Sequence, residues 1–537
     1  MLTRTIYFSG LRASSLLLIV ILTGVAIQAT VLASPKDDRI TAGQRLYREG
    51  RGVSGAAITA MVQGDVPLSG TQMTCQSCHG RSGMGTIESG RIPPGITGPL
   101  LFAPDKRTRD QRRRPAYTEK TLARAIRKGV DAAGKPLDPL MPRFQLGDRD
   151  VAALAAYLRQ LGTVPSPGVG SDSLRLATLI AGDVDPAVVQ AELDVIKAFV
   201  ATRNRSGRQR LRGGHAPGDK REIFRKWSLD IWRLQGPPGS WRAQIATHYR
   251  KRPVFAMIGG LAAGSWQPVH EFCEARQMPC MLPDIDLPPA DESGFYSFYF
   301  SRGLRLEAEI IASELKAKGL AGNVLSIVDG NDKNTPSVMA AAAFEQAITR
   351  RTGQVQTLDM RRDSVQELLA GNQSKLKSSA IVLWLNAAGL QKLAAKGMQS
   401  EVPAFLSSTL LDSHWDKIPA TLRSRAMLVH LSALPDEPDP SLQRFRAWAR
   451  VRHVSIRHVR HQALAYFACL AFAESTKHAG LYLSRDYVLD LLNHSSTLTA
   501  YLPLYTRAGI TPGQRVLSRG GYLVDLAGGA RPLWVVP

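Results

Sequence analysis

Residues Cys75-Gln76-Ser77-Cys78-His79 decide how the first part of the chain is read. Their spacing is C-x-x-C-H. On a helix the two thiols fall about one turn apart, on one side, and the imidazole follows directly. That is the attachment signature of a c-type haem: two thioethers hold one edge of the macrocycle and the histidine turns onto the iron. A zinc half-site and two spare cysteines are the competing readings of five residues taken alone.

The chain around the motif narrows the choice. With 537 residues it exceeds what one core usually holds, so two or three domains are expected. Hydrophobic residues make up 44% and charged residues 21%, which argues against extended disorder. The formal net charge is +23, which favours acidic partners. No nucleic-acid-binding motif accompanies it, so no nucleic-acid partner is expected.

Arg4 and Arg12 precede an uncharged run from Ala13 to Pro35 with an apolar centre, Leu16 to Ala26. Val31-Leu32-Ala33 offers a small-residue cleavage site, so residues 1–33 have the form of a secretory signal peptide. An uncleaved N-terminal anchor, with membrane association, is the alternative. Either way the rest of the chain is expected in a bacterial periplasm, the compartment in which haem is attached covalently.

Residues 36–164 read as short helices between long loops. Thr41 to Tyr47 is helical and ends by Gly50. Thr118 caps a helix that Gly129 ends, and Asp148 starts a last helix with Val151, Leu154, Ala155 and Leu158 on one face. The haem motif, the basic helix Leu122 to Gly129, Met141-Pro142-Arg143-Phe144 and the closing Ala156-Tyr157-Leu158 together resemble a class I cytochrome c domain, small and all-α. The resemblance implies one covalent haem c, with Cys75 and Cys78 as thioether sites, His79 as proximal iron ligand and Met141 as distal ligand. His/Met ligation raises the potential and closes the iron to substrates, which suits electron transfer. Met61, Met73 and Met84 are weaker rivals for Met141. The basic run Lys106 to Arg114 is a solvated loop or a docking patch for an acidic redox partner.

Residues 165–171, within Gly162-Thr163-Val164-Pro165-Ser166-Pro167-Gly168-Val169-Gly170-Ser171, read as a linker. From 172 to 537 strands and helices alternate, the pattern of parallel sheets covered by helices, and the length calls for two lobes. Val254 to Ser265, Met278 to Pro283, Tyr299 to Gly303 and Ala465-Tyr466 in a late helix resemble the periplasmic type 1 solute-binding family, the branched-chain amino-acid binding proteins. The resemblance implies a two-lobed α/β unit, hinged around a small-molecule cleft. Carried onto this chain, the cleft candidates are Ser265, Asp284, Trp384, Asn386 and Ser408. Carboxylates at Asp284 and Asp286, where the family has small neutral residues, disfavour a standard amino acid and favour a cation, a polyol or a metal. An ordinary loop residue is the competing reading at each position.

Cys273 and Cys280 are close enough to close a small loop in an oxidising compartment, so a disulfide is expected, with free thiols as the alternative. Cys469 lies in an apolar helix as an inert thiol. The stretch Arg452-His453 to His461 reads as a solvated basic helix face. The function expected is a periplasmic monohaem electron carrier fused to a small-molecule-binding module, coupled to a substrate or to a partner dehydrogenase or oxidase. A solute-binding or sensing protein with haem as redox reporter is the alternative, and a haem peroxidase a further one. A non-enzymatic carrier fits better than an enzyme.

Overall fold

The computed structural model describes residues 35–537 except for 63–65, 86–92, 105–113, 213–223, 292, 331–334, 362–378, 396–401, 413, 506 and 512. The N-terminal apolar segment and most of the basic run Lys106 to Arg114 lie outside the described residues. Among the described residues no helix is long and apolar enough to cross a membrane.

The first unit is built on α1 (Pro35–Glu49), α2 (Cys75–His79), α3 (Gly98–Leu101), α4 (Glu119–Lys128) and α5 (Asp148–Gln160). Helix α4 begins with a reciprocal cap: Thr118 Oγ1 accepts from Thr121 N–H, and Thr121 Oγ1 accepts from Thr118 N–H. Gly129 ends it in the left-handed conformation, φ +68°. Helices α1 and α5 cross at Leu46, Tyr47, Leu154 and Leu158, all buried. The unit also carries a small antiparallel sheet, β2 (Val66–Ser69), β1 (Thr59–Val62) and β3 (Arg143–Gln145), in that order. The sequence pattern did not separate these strands of three and four residues from loop.

The second unit holds two sheets. The first contains β4 (Ser173–Ala181), β5 (Lys226–Leu234), β6 (Ala256–Ile258), β7 (Leu261–Ala262), β8 (Cys280–Met281) and β9 (Ser297–Phe298). Its order is β5-β4-β6-β8-β9, with β7 paired to β4, and the pairs are parallel. Alternation along β4 places Leu174 and Leu176 with α6 (Pro186–Arg212), and Ala177 and Leu179 with α7 (Trp241–Lys251) and α8 (Gln267–Ala275).

The second sheet contains β10 (Val324–Val328), β11 (Val355–Asp359), β12 (Ala380–Trp384), β13 (Ala404–Ser407), β14 (Ala426–His430), β15 (Gly521–Asp525) and β16 (Leu533–Val535). The order is β11-β10-β12-β13-β14-β15-β16. It is parallel as far as β14, whereas β15 and β16 return antiparallel. Helices α9 (Leu304–Ala317) and α10 (Pro336–Thr349) cover one face. The result is a two-lobed α/β unit. The chain passes from lobe 1 to lobe 2 after β9, returns after β14, and crosses again through Arg515–Ser518. There Tyr299 N–H donates to Arg515 O at 2.8 Å and Leu517 N–H to Tyr299 O at 3.0 Å.

The segment between the units is packed down. Arg175 N–H donates to Gly168 O at 2.9 Å, and Arg485 N–H donates to Ser166 Oγ at 3.2 Å. A Cβ on Gly168 would stand 2.1 Å from Phe255 N, so only glycine lets the backbone pass there.

Candidate functional sites: the haem motif and the cleft between the lobes

Helix α2 owes its start to a second reciprocal cap. Ser77 N–H donates to Thr74 Oγ1 at 3.1 Å, and Thr74 N–H donates to Ser77 Oγ at 3.2 Å. This fixes Cys75 at the first helical position, with Cys78 and His79 a turn later. His79 is buried, and its Nδ1 lies 3.0 Å from Pro94 O. A carbonyl only accepts, so Nδ1 carries the hydrogen and the lone pair is left on Nε2. Burial also lowers the pKa of His79, which keeps the ring neutral. Burial, with Cys78 beside it, pushes the Cys75 thiol up to about 12. A neutral imidazole with its Nε2 lone pair open, next to two thiols one helical turn apart, is the donor set that a covalent haem needs. A haem held there supplies one-electron chemistry. Met141 sits in the turn that starts at Asp138, where its N–H donates to Asp138 O at 3.1 Å, directly before β3.

The loop after the motif is held from both sides. Tyr47 Oη donates to Gly80 O at 2.6 Å. From lobe 1, Asp490 accepts from Arg81 N–H at 3.2 Å and from Ser82 N–H at 2.8 Å. Asp490 is only 4% exposed, and burial pushes its carboxyl up to about 6 against those hydrogen bonds. Gly80 has φ +71°, and a Cβ there would meet Asp490 Oδ2 at 2.6 Å. Around this contact Asp486 accepts from Tyr296 Oη at 2.6 Å and lies 3.6 Å from Arg48 Nη2 and 3.8 Å from Arg81 Nε. Nothing in the sequence links the haem loop to a helix some 400 residues later, so this contact was not foreseen.

The cleft between the lobes is lined by Asp284, Asp286, Ser301, Ser408, Thr409, Asp412, His430, Arg460 and Tyr505, and has solvent room of only about 20 Å³. His461 Nδ1 lies 2.6 Å from Asp284 Oδ2, and His461 Nε2 lies 3.8 Å from Asp412 Oδ1 across the lobes. Arg460 Nη2 lies 3.4 Å from Asp284 Oδ1 and 3.9 Å from Asp286 Oδ1. Burial alone would raise Asp284; Arg460 and His461 overcome it and hold the carboxyl at about 2. Glu192, behind the Gly259-Gly260 turn, accepts from Gly260 N–H at 2.9 Å, and burial beside Asp284 pushes it up to about 8.

Of the five cleft candidates, Asp284 and Ser408 reach the cleft. Ser265 lies in the turn before α8, where its Oγ accepts from Gln267 N–H at 3.3 Å. Trp384 is on the face of β12 that packs on α10, with its ring 6.0 Å from Phe344, and so belongs to the core. Asn386 is exposed, and its Oδ1 accepts from Gly389 N–H at 2.9 Å, an ordinary helix cap. The end of the Arg452-to-His461 stretch corrects the reading as a solvated face: the side chains of Arg460 and His461 are only 22% and 15% exposed and turn into the cleft. Cys273 and Cys280 are free buried thiols side by side, and burial with Cys280 as neighbour pushes Cys273 well up.

Fold and site define a protein that joins a haem-binding domain to a two-lobed α/β unit. Residues 70–162 match the Cytochrome c family, so the chain carries a cytochrome c domain. No curated protein matches the chain in sequence. Among solved structures, a leucine-binding protein from Thermotoga maritima is 10% identical over 67% of this chain and 97% of its own, with TM-score 0.46. A branched-chain amino-acid ABC transporter protein from Thermus thermophilus with bound valine is 12% identical over 68% and 96%, TM-score 0.46. A fatty-acid ABC transporter substrate-binding protein from Thermomonospora curvata is 16% identical over 70% and 94%, TM-score 0.45. The two-lobed architecture itself is read from the sheets described above.

Proposed function

We propose that the chain is an exported electron carrier. One haem c is held covalently by Cys75 and Cys78, with His79 as proximal and Met141 as distal ligand. The two-lobed unit takes a small molecule between its lobes and ties redox traffic to one substrate or one acidic partner protein. The observation that carries the reading is the fixed tautomer of His79: Pro94 O takes the Nδ1 hydrogen at 3.0 Å, which leaves Nε2 for iron, one residue from Cys78. The N-terminal segment, read as an export signal, supports a periplasmic location, and the redox partner would be a dehydrogenase or oxidase there.

The test is spectroscopic. The mature protein should carry haem that organic extraction does not remove, show a sharp reduced α-band, and titrate as one electron at a positive potential. Met141→Ala should lower that potential on the order of 0.1 V, a modest part of the ~0.8 V that axial ligands command. An unchanged potential removes Met141 as ligand. A second reading, a solute-binding or sensing protein with haem as reporter, is favoured by the charged groups gathered in the cleft; solute binding indifferent to haem reduction would support it.

A further inference from the structure

We propose that the cleft between the lobes takes a small ammonium-type cation, a primary amine with no carboxylate, held between Asp286 of lobe 1 and Asp412 of lobe 2 with His430 as an additional acceptor. The proposal rests on the reading of the two-lobed unit as a solute-binding module.

Three carboxylates, Asp284, Asp286 and Asp412, surround the cleft, and the cations facing them are Arg460 and His461. Asp284 is committed to both of these, at 3.4 Å and 2.6 Å. Asp286 and Asp412 are only loosely engaged, at 3.9 Å from Arg460 and 3.8 Å from His461, beyond hydrogen-bond length. Their side chains keep 41% and 54% exposure, so oxygens on both lobes stand open to a donor. An anionic ligand would meet an excess of carboxylate, whereas a cation would relieve it.

A separate observation comes from His430, which lines the same cavity and is 6% exposed. Its Nε2 lies 3.1 Å from Ala433 O and so carries the hydrogen. That leaves Nδ1 as an acceptor, and Nδ1 is buried without a partner. Burial lowers the ring to about 4, so it stays neutral and continues to accept. An acceptor left bare in a buried wall costs free energy until a donor arrives. The room inside, about 20 Å³, is enough to admit one –NH3+ head. An ammonium head offers three donors and one positive charge, matching two carboxylates and one imidazole nitrogen.

The test uses the full haem-loaded chain. Thermal unfolding and calorimetric titration are run with methylammonium chloride, and in parallel with sodium acetate, glycerol and sodium chloride at equal ionic strength. Methylammonium should raise the unfolding temperature saturably, and sodium chloride should not. Asp412→Asn should weaken methylammonium binding about tenfold or more, since one charged hydrogen-bond partner is lost. His430→Phe should weaken it less, with the Soret spectrum and circular dichroism of both variants unchanged. Saturable binding of acetate or glycerol in place of methylammonium overturns the ligand class but leaves the solute-binding reading standing. No saturable response to any of the three overturns both. Wild-type affinity in a folded Asp412→Asn variant refutes the site.

Discussion

Replacing Glu307 with glutamine should stabilise lobe 2 in alkaline solution, although it removes a carboxylate that four donors serve. Glu307 lies in α9 and is fully buried. It accepts from the hydroxyls of Ser407, Ser408 and Thr409 and from Thr409 N–H, the latter at 3.1 Å. These donors anchor the end of β13 beside the cleft. Burial still outweighs them and pushes the carboxyl from 4.5 to about 7. That rise corresponds to about 3 kcal/mol. Because the folded pKa is raised, the unfolded chain releases the proton first. The contribution of Glu307 to stability is therefore fully present below about pH 4.5 and is lost as pH climbs through 7. Glutamine keeps one acceptor and cannot ionise, at a cost of roughly 1 kcal/mol for the hydrogen bond that must rearrange. Glu307→Gln should thus be slightly less stable than wild type at pH 5 and about 2 kcal/mol more stable at pH 8.5. Urea unfolding followed by tryptophan fluorescence at the two pH values measures the difference, resolving the lobe transitions if they separate. Parallel pH dependence in the two proteins would refute the reasoning, because it would mean that Glu307 ionises as readily in the folded lobe as in the unfolded chain.

The remaining predictions concern the haem loop and the thiol pair. Asp490→Ala leaves the N–H groups of Arg81 and Ser82 without their acceptor and should destabilise the cytochrome domain by about 2–4 kcal/mol at pH 5, read as the Soret change in urea. Gly80→Ala should be harmful at the same place, since φ +71° alone costs roughly 1–2 kcal/mol for a residue with a Cβ, before the 2.6 Å approach to Asp490 is relieved. In an oxidising compartment Cys273 and Cys280 should pair, so that alkylation of denatured, unreduced protein labels Cys469 alone of Cys273, Cys280 and Cys469, and reduction lowers stability by about 2–3 kcal/mol. Labelling of all three would leave the pair as dithiol.

What the sequence made legible was local. The C-x-x-C-H turn and the Thr118 and Gly129 ends of α4 depend on neighbours within a few residues, and both stand where the pattern put them. The cleft was half legible because a cleft residue is defined by which face of a sheet it leaves. Ile381, Leu383 and Leu385 face one core while Ala380, Val382 and Trp384 face the other. A run of apolar residues does not reveal which parity is which, and Trp384 was placed on the wrong side for that reason. Arg460 and His461 escaped notice because a basic stretch reads as solvated unless the carboxylates that bury it are known. Those carboxylates, Asp284 and Asp286, are about 175 residues away.

The contact between the units follows the same physics and determines what can move. Buried Arg485 donates to the carbonyls of Phe255 at 2.9 Å and Val254 at 2.7 Å, which fixes the start of the helix Arg485–Asn493 to lobe 1. The same helix presents Asp486 and Asp490 to the haem loop. The guanidiniums of Arg81 and Arg515 stand 4.4 Å and 4.8 Å from the ring of Phe295, and Arg515 O accepts from Tyr299 N–H in the crossover strand. Cation–ring contacts of this kind are each worth about 0.5–2 kcal/mol when partly desolvated, enough to bias the haem loop without locking it. The haem loop is therefore tied to lobe 1 by its hydrogen bonds to Asp490 and by the ring contact of Arg81 with Phe295. Arg515 borders both the crossover, through its carbonyl, and the Phe295 ring. Replacing Phe295 with leucine keeps the charge count unchanged but takes the ring away from Arg81 and Arg515. It should weaken the hold on the haem loop by about 0.5–2 kcal/mol per lost contact, read as an earlier Soret change in urea, and an unchanged transition would refute a role for these contacts.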